Sequence, residues 1–159
     1  MAIRDATPAD AAAICGIAVR SDLFPAEEVA VVETMMADYF AGLDRRGHRC
    51  VLDEADEPIG VAYYEPAPAT DRTWYLTMIG VTAEHQGRGR GTALLGHIED
   101  DLRASRQRLL LVETSGADSF AATRRFYRHC GYTVEATVAD YYEPGDDMVM
   151  FAKNLADKA

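Results

Sequence analysis

Three glycines at alternate positions, Gly87, Gly89 and Gly91, enclose Arg88 and Arg90, with Gln86 ahead of them and Thr92 behind. Glycine leaves the backbone bare, so a ligand can approach closely and several N–H groups can converge on it. The segment follows the apolar run Ile79-Gly80-Val81 and enters an amphipathic pattern of helical period. A helix N-terminus adds partial positive charge, and the two guanidinium groups suit phosphate oxygens. Together these features favour a ligand carrying a pyrophosphate.

Three loop patterns compete for this segment. A phosphate loop of the Walker type needs its last glycine followed by Lys and then Ser or Thr. Here Thr92-Ala93 follows Gly91, without the lysine. A dinucleotide fold needs G-x-G-x-x-G in its first strand–helix unit. This chain has G-x-G-x-G, past its midpoint, so that match is weak. The third pattern, Gln86-x-x-Gly89-x-Gly91, fits.

The elements around the loop alternate between strand and helix periods. Ile3–Asp5 reads as a first strand. Thr7 is placed to cap a helix that Pro8 opens, with Ile14, Ile17 and Ala18 on its apolar stripe. A second helix is expected from Pro25 to Leu43, marked by Val29, Val32, Met36, Tyr39 and Leu43. Strands are expected at 48–53 and 59–64, joined by a turn at Asp56-Glu57-Pro58, and a fourth at 72–81. Gly80 inside that fourth strand suggests a bulge. A helix from about Gly89 to Ser105 buries Leu94, Leu95, Ile98 and Leu102. The continuous run Leu109-Leu110-Leu111-Val112 suits a strand inside a sheet, covered on both faces. A helix at 120–130 is closed by Gly131, and strands at 132–139 and 148–153 finish the chain. The order is that of a mixed α/β (α+β) domain, one domain over residues 1–159.

The 159 residues carry 26 acidic and 16 basic side chains, a net charge of −10. That balance argues against broad contact with nucleic acid and suits either a solvated surface or a cationic substrate such as an amine. No apolar run is long enough to span a bilayer, and the first residues lack a signal-peptide pattern, so the expectation is a cytoplasmic protein with no membrane partner. Cys15, Cys50 and Cys130 show no metal-site spacing, and no metal is expected. Cys15 and Cys130 lie in apolar patterns and read as small core residues.

Gln86-x-x-Gly89-x-Gly91 after Ile79-Gly80-Val81 resembles the acetyl-CoA signature of the GNAT N-acetyltransferase superfamily. The stretch Thr123-Arg124-Arg125-Phe126-Tyr127-Arg128-His129-Cys130-Gly131-Tyr132 resembles that family's second motif. The likeness is close from about Trp74 to Tyr132 and loose before Ala41. It implies a GNAT fold: a mixed central sheet with a splayed pair of parallel strands and helices on both faces. It also implies acetyl-CoA as acyl-donor cosubstrate and direct transfer to a primary amine. In that pattern the backbone of Ile79, Gly80 and Val81 meets pantetheine and the reacting carbonyl. Gln86, Gly87, Arg88, Gly89, Arg90, Gly91 and Thr92 hold the pyrophosphate.

The resemblance places Tyr127 beside the sulfur as proton donor, with Phe126 packed in the core. Many relatives carry a carboxylate base in the fourth strand, but Trp74-Tyr75-Leu76-Thr77-Met78 has none. Glu113 is the first substitute and Glu65 the second. Phe120 stands where many relatives have a cofactor-binding asparagine, so it would pack on the cofactor or the core. Arg124 and Arg128 share a helix face, read as solvated. The acceptor side by resemblance involves Phe24, Glu28, Met36, Tyr141, Tyr142, Asp146 and Asp147. Asp140–Asp147 reads as an acidic, aromatic loop, an ordinary turn held by Pro144-Gly145 or a seat for a cationic amine. A non-catalytic acyl-CoA sensor and a plain interaction domain are the other classes, and a homodimer is the common assembly to expect.

Overall fold

The computed structural model describes residues 2–21 and 26–156. Its strands follow the hydrogen-bond order β1-β2-β3-β4-β5-β7-β6, a mixed sheet with one parallel pair, β4–β5. Two compact units divide the chain, and β4 and α3 each contribute to both.

The first unit comprises residues 1–66 and 77–100. It holds β1 (Ala2–Asp5), α1 (Ala11–Arg20), α2 (Val29–Ala41), β2 (Arg49–Glu54) and β3 (Pro58–Pro66). To these it adds the second half of β4 (Thr73–Val81) and most of α3 (Arg90–Ala104). β1 pairs antiparallel with β2, and β2 with β3, whose register shifts between Asp53 and Glu54. Ile14, Ile17 and Ala18 of α1 and Val32, Met36 and Tyr39 of α2 bury against Leu52, Val61, Tyr63 and Met78. The opposite face meets α3, where Leu94 lies against Gly60: a Cβ there would sit 3.0 Å from Leu94 Cδ1 and 3.4 Å from the Gly80 carbonyl oxygen. Alternate strand residues thus face two helical layers, as the period of two requires.

The second unit comprises residues 67–76 and 101–159. Thr73–Leu76 of β4 pair parallel with Leu109–Val112 of β5 (Leu109–Ser115). β5 pairs antiparallel with β7 (Asp146–Asn154), and β7 with β6 (Thr133–Glu143). Tyr127 of α4 (Ala121–His129) packs its ring against Tyr132 and Phe151, with centroids 5.9 and 5.5 Å away. Strand β6 is exposed along its length, and Val134, Val138, Tyr141 and Tyr142 are its large exposed apolar residues.

Thr7 stands at the N-cap as expected, in a capping box with Asp10. Its N–H and hydroxyl both donate to the Asp10 carboxylate, at 2.8 and 3.0 Å, and a 3-10 turn at Pro8–Asp10 precedes α1. Other local expectations change. The second helix begins as a 3-10 turn at Ala26–Glu28, becomes α-helical at Val29 and ends at Ala41; Pro25 lies outside the described residues. Leu110 and Val112 are buried but Leu109 and Leu111 only half so, which makes β5 an interior strand with unequal faces. The expected acidic loop is mostly strand: β6 runs to Glu143 and β7 starts at Asp146, leaving Pro144-Gly145 as the turn. Cys15 and Cys130 are half-buried, and Cys50 is the cysteine fully inside, its thiol pushed up to about 12 by burial.

Arg4 anchors the first strand. It donates to Asp10 at 2.8 and 3.0 Å and to Glu54 at 3.0 and 3.2 Å. Hydrogen bonding from Arg4, then from Thr7, holds the Asp10 carboxyl well below the usual carboxylate range. A depressed folded pKa gives stability that is present above the unfolded value and lost as pH falls toward the folded one. Asp10→Asn should therefore lower unfolding free energy at pH 7 by about 1–3 kcal/mol, and the gap from the parent protein should narrow below about pH 4. Thermal unfolding at pH 7 and at acid pH checks both parts.

Candidate active site

The glycine-rich loop lies in the first unit, between β4 and α3. Strand β4 stops at Val81. Thr82 is buried, donates its N–H to the Ile59 carbonyl at 2.9 Å, and its hydroxyl lies 2.9 Å from His85 Nδ1. A 3-10 turn at Ala83–His85 leads to Gln86, whose side-chain amide donates to the Val81 carbonyl at 2.8 Å. Gly87 and Gly89 both adopt left-handed backbone, φ 74° and 79°. A Cβ at either would meet nothing within 4 Å, so the need for glycine is conformational and not steric. The Ala93 N–H bonds to the Gly89 carbonyl at 3.0 Å, and the amides ahead of it lie in the first turn, outside the intrahelical ladder. They form the donor set expected of an anion cradle. Gly80 is half-buried and not left-handed; its carbonyl approaches Gly60.

The two loop arginines differ. Arg88 is exposed. Arg90, the first residue of α3, gives its Nε and Nη2 hydrogens to the two carboxylate oxygens of Asp53, at 2.6 and 2.8 Å. Asp53 is fully buried in β2. Sequence reading missed Asp53. Its signal was an acid on the strand face of Val51, directly after the apolar residues Cys50-Val51-Leu52, with an extra arginine in the loop to answer it.

Among candidate bases, Glu65 at the end of β3 has the more structured surroundings. Its Oε2 accepts the Thr77 hydroxyl at 2.8 Å and lies 3.9 Å from His48 Nδ1, which is itself 2.7 Å from the Tyr63 hydroxyl. Burial, with Glu65 next, pushes the Tyr63 phenol up, so it stays protonated. Glu113, in the second unit, is exposed on β5 opposite Met150 of β7. The Tyr142 phenol is pushed up to about 12, mainly by burial and next by the charge of Glu113.

Tyr127 is 3% exposed. Burial, and then Cys130, raise its phenol above the ordinary tyrosine value. Phe126 is half-buried at the edge of the Tyr127 ring, 5.3 Å between centroids. Phe120 is 41% exposed, so it is not a core residue. Of the two helix arginines expected on a solvated face, Arg128 is exposed and Arg124 is half-buried. Arg124 donates to the Ser115 and Ala117 carbonyls, both at 2.8 Å, and Arg128 sits over the Phe151 ring.

On the expected acceptor side, Phe24 lies outside the described residues, Glu28 is exposed, and Met36 is sealed in the core. Asp146 accepts the Ser115 hydroxyl hydrogen bond, and Asp147 accepts the Asp140 N–H at 3.0 Å. Asp147 thus ties β7 to β6 and Asp146 ties β7 to β5, while Tyr141 and Tyr142 are exposed on the hairpin.

This architecture has relatives. The acetyltransferase (GNAT) family profile matches residues 13–132. A GNAT-family structure from Desulfovibrio desulfuricans is 34% identical, with TM-score 0.91, over 98% of this chain and 99% of that one. A Salmonella typhimurium structure containing its cofactor acetyl-CoA is 24% identical, with TM-score 0.80, over 100% of this chain and 96% of that one. An aminoglycoside 6'-N-acetyltransferase complexed with coenzyme A is 14% identical, with TM-score 0.81, over 100% of this chain and 99% of that one. No curated protein matches the chain. With the family profile spanning both the glycine loop and Tyr127, this chain belongs to the GNAT family of acetyltransferases.

Proposed function

We propose that this protein moves an acetyl group from acetyl-CoA directly to a primary amine. The observation that carries the reading is the pinned loop at the start of α3: two left-handed glycines, an exposed Arg88 and first-turn amides outside the helical ladder. That combination suits a pyrophosphate. Acetyl-CoA and coenzyme A in the Salmonella and aminoglycoside-modifying structures support the choice of ligand. Residues 1–159 act as one catalytic domain in this reading.

The reaction balances without a covalent intermediate. The amine nitrogen attacks the thioester carbon, the C–S bond breaks, and the products are an amide and the CoA thiol. A lysine-type amine has a pKa of about 10, so its ammonium form must first lose a proton to a base. Ile79, Gly80 and Val81 would present backbone to the pantetheine arm and the developing oxyanion. Residues Gln86 to Thr92 would hold the pyrophosphate. Tyr127 would supply a hydrogen-bonded proton to the departing thiolate, and burial keeps its phenol in the protonated form that this role needs. The two carboxylates assigned to proton removal are Glu113 and Glu65. The Thr77 hydrogen bond and the nearby His48 favour Glu65.

Tyr127→Phe should cut turnover by roughly 10²–10⁴ with little change in acetyl-CoA affinity; unchanged turnover would remove the tyrosine from the mechanism. The base is read from pH–rate profiles of Glu113→Gln and Glu65→Gln. The variant that has lost the true base loses the acidic limb, and an intact limb acquits the residue. Release of CoA thiol across an amine panel tests the reaction itself. Acetyl-CoA binding without thiol release for any amine would mark a sensor instead.

A further inference from the structure

We infer that Asp53 is a positioning residue of the donor site, locking Arg90 so that the Gly87–Gly89 turn keeps its anion-accepting shape and Arg88 is the guanidinium left to meet the ligand. The inference rests on the pyrophosphate reading of that loop. It changes the part that Arg90 plays there.

The loop is fastened at both ends. At its entry, the Gln86 amide holds the Val81 carbonyl at 2.8 Å. At its exit, Arg90 is held by both carboxylate oxygens of Asp53. Between these pins lie only Gly87, Arg88 and Gly89, and both glycines are left-handed. Glycine has more conformational freedom than any other residue, so two glycines in three positions would populate many shapes without the pins. An ordered cradle is what lets several N–H groups face one ligand at no further ordering cost.

Asp53 is placed for this by its own strand. It shares a strand face with buried Val51, two positions back, and pairs in regular register with Gly60 of β3. Gly60 of β3 makes room, because a Cβ on it would stand 3.3 Å from Asp53 Cβ and 3.0 Å from Leu94 Cδ1. The Asp53 carboxylate is fully buried, whereas the Arg90 side chain keeps 20% of its exposure. A bidentate Nε/Nη2 grip fixes the plane of the guanidinium as well as its position. The charge of Arg90 is thereby offset within the protein, and Arg88 carries the charge that the loop presents outward.

A ligand role for Arg90 makes the opposite prediction. If Arg90 itself held phosphate, Asp53→Asn would free its charge, and the KM for acetyl-CoA would fall or stay put. Positioning predicts that the KM for acetyl-CoA rises about tenfold with kcat within about threefold, the loss confined to binding. S-acetylpantetheine, which has no pyrophosphate, serves as control donor: its kcat/KM should be unchanged in the variant. An equal fall for both donors would mean that the pair merely supports the fold and would overturn the proposal.

Asp53→Asn strands a buried cation and could unfold the chain, so Asp53→Ala with Arg90→Met removes both charges together. That double variant should show the same donor-selective rise in KM. In the unliganded protein its Gly87–Gly91 amides should exchange with deuterium faster, with the β2 and β3 amides unchanged. Parental exchange at the loop amides would sink the proposal whether or not acetyl-CoA is the donor. Failure of the parent protein to bind acetyl-CoA would instead sink the pyrophosphate reading alone.

Discussion

The buried pair of Asp53 and Arg90 is the constraint on which the start of α3, and with it the proposed donor site, depends. A carboxylate with no solvent exposure must be neutralised and hydrogen-bonded, because an isolated charge in such surroundings costs far more than one contact returns. Arg90 meets that demand from the first residue of α3, so satisfying the carboxylate also fixes where the helix begins. The direction of the first-turn amides follows from that start. Breaking such a pair from one side costs about 3–5 kcal/mol, a large share of the stability of a domain this size. The charge that the sheet must satisfy and the geometry that the loop requires are therefore met by one interaction.

Glycines serve two distinct ends around this pair. Gly60 is small because β3 must let Leu94 and the Gly80 carbonyl come close. Gly87 and Gly89 stand in open space and are needed only for their left-handed backbone. In the second unit the arrangement is aromatic: Phe126, Tyr132 and Phe151 surround Tyr127, and burial raises its phenol. One unit thus carries a polar, pinned loop and the other a phenol held in its protonated form by apolar neighbours.

Much of this was legible in the chain. The glycine spacing placed the loop between a strand and a helix, and the periods of two and 3.6 placed β1 to β7 and α1 to α4 within a few residues. What could not be read was pairing at a distance. Asp53 and Arg90 are 37 positions apart, and strand alternation puts Asp53 on the buried face of Val51 without saying which cation meets it there. Thr7 caps as its position suggests, but spacing alone does not show that Arg4 also holds the Asp10 carboxylate it meets. Arg124 looked solvated because helical spacing says nothing of the Ser115 and Ala117 carbonyls. The Asp140–Asp147 segment looked like a loop because its polar residues and Pro-Gly pair are turn formers. Asp140 and Asp147 in fact bond to backbone N–H groups of the hairpin, which lets the strands continue almost to the turn.

The central claim is that the amides at the start of α3 receive the pyrophosphate of acetyl-CoA. Titration of nitrogen-15-labelled protein with acetyl-CoA, followed through the amide resonances of Gly87, Gly89 and Gly91, tests it most directly. The account predicts saturable shifts that are largest from Gly87 to Thr92. Saturable shifts centred elsewhere, with these glycine amides unmoved, would contradict it.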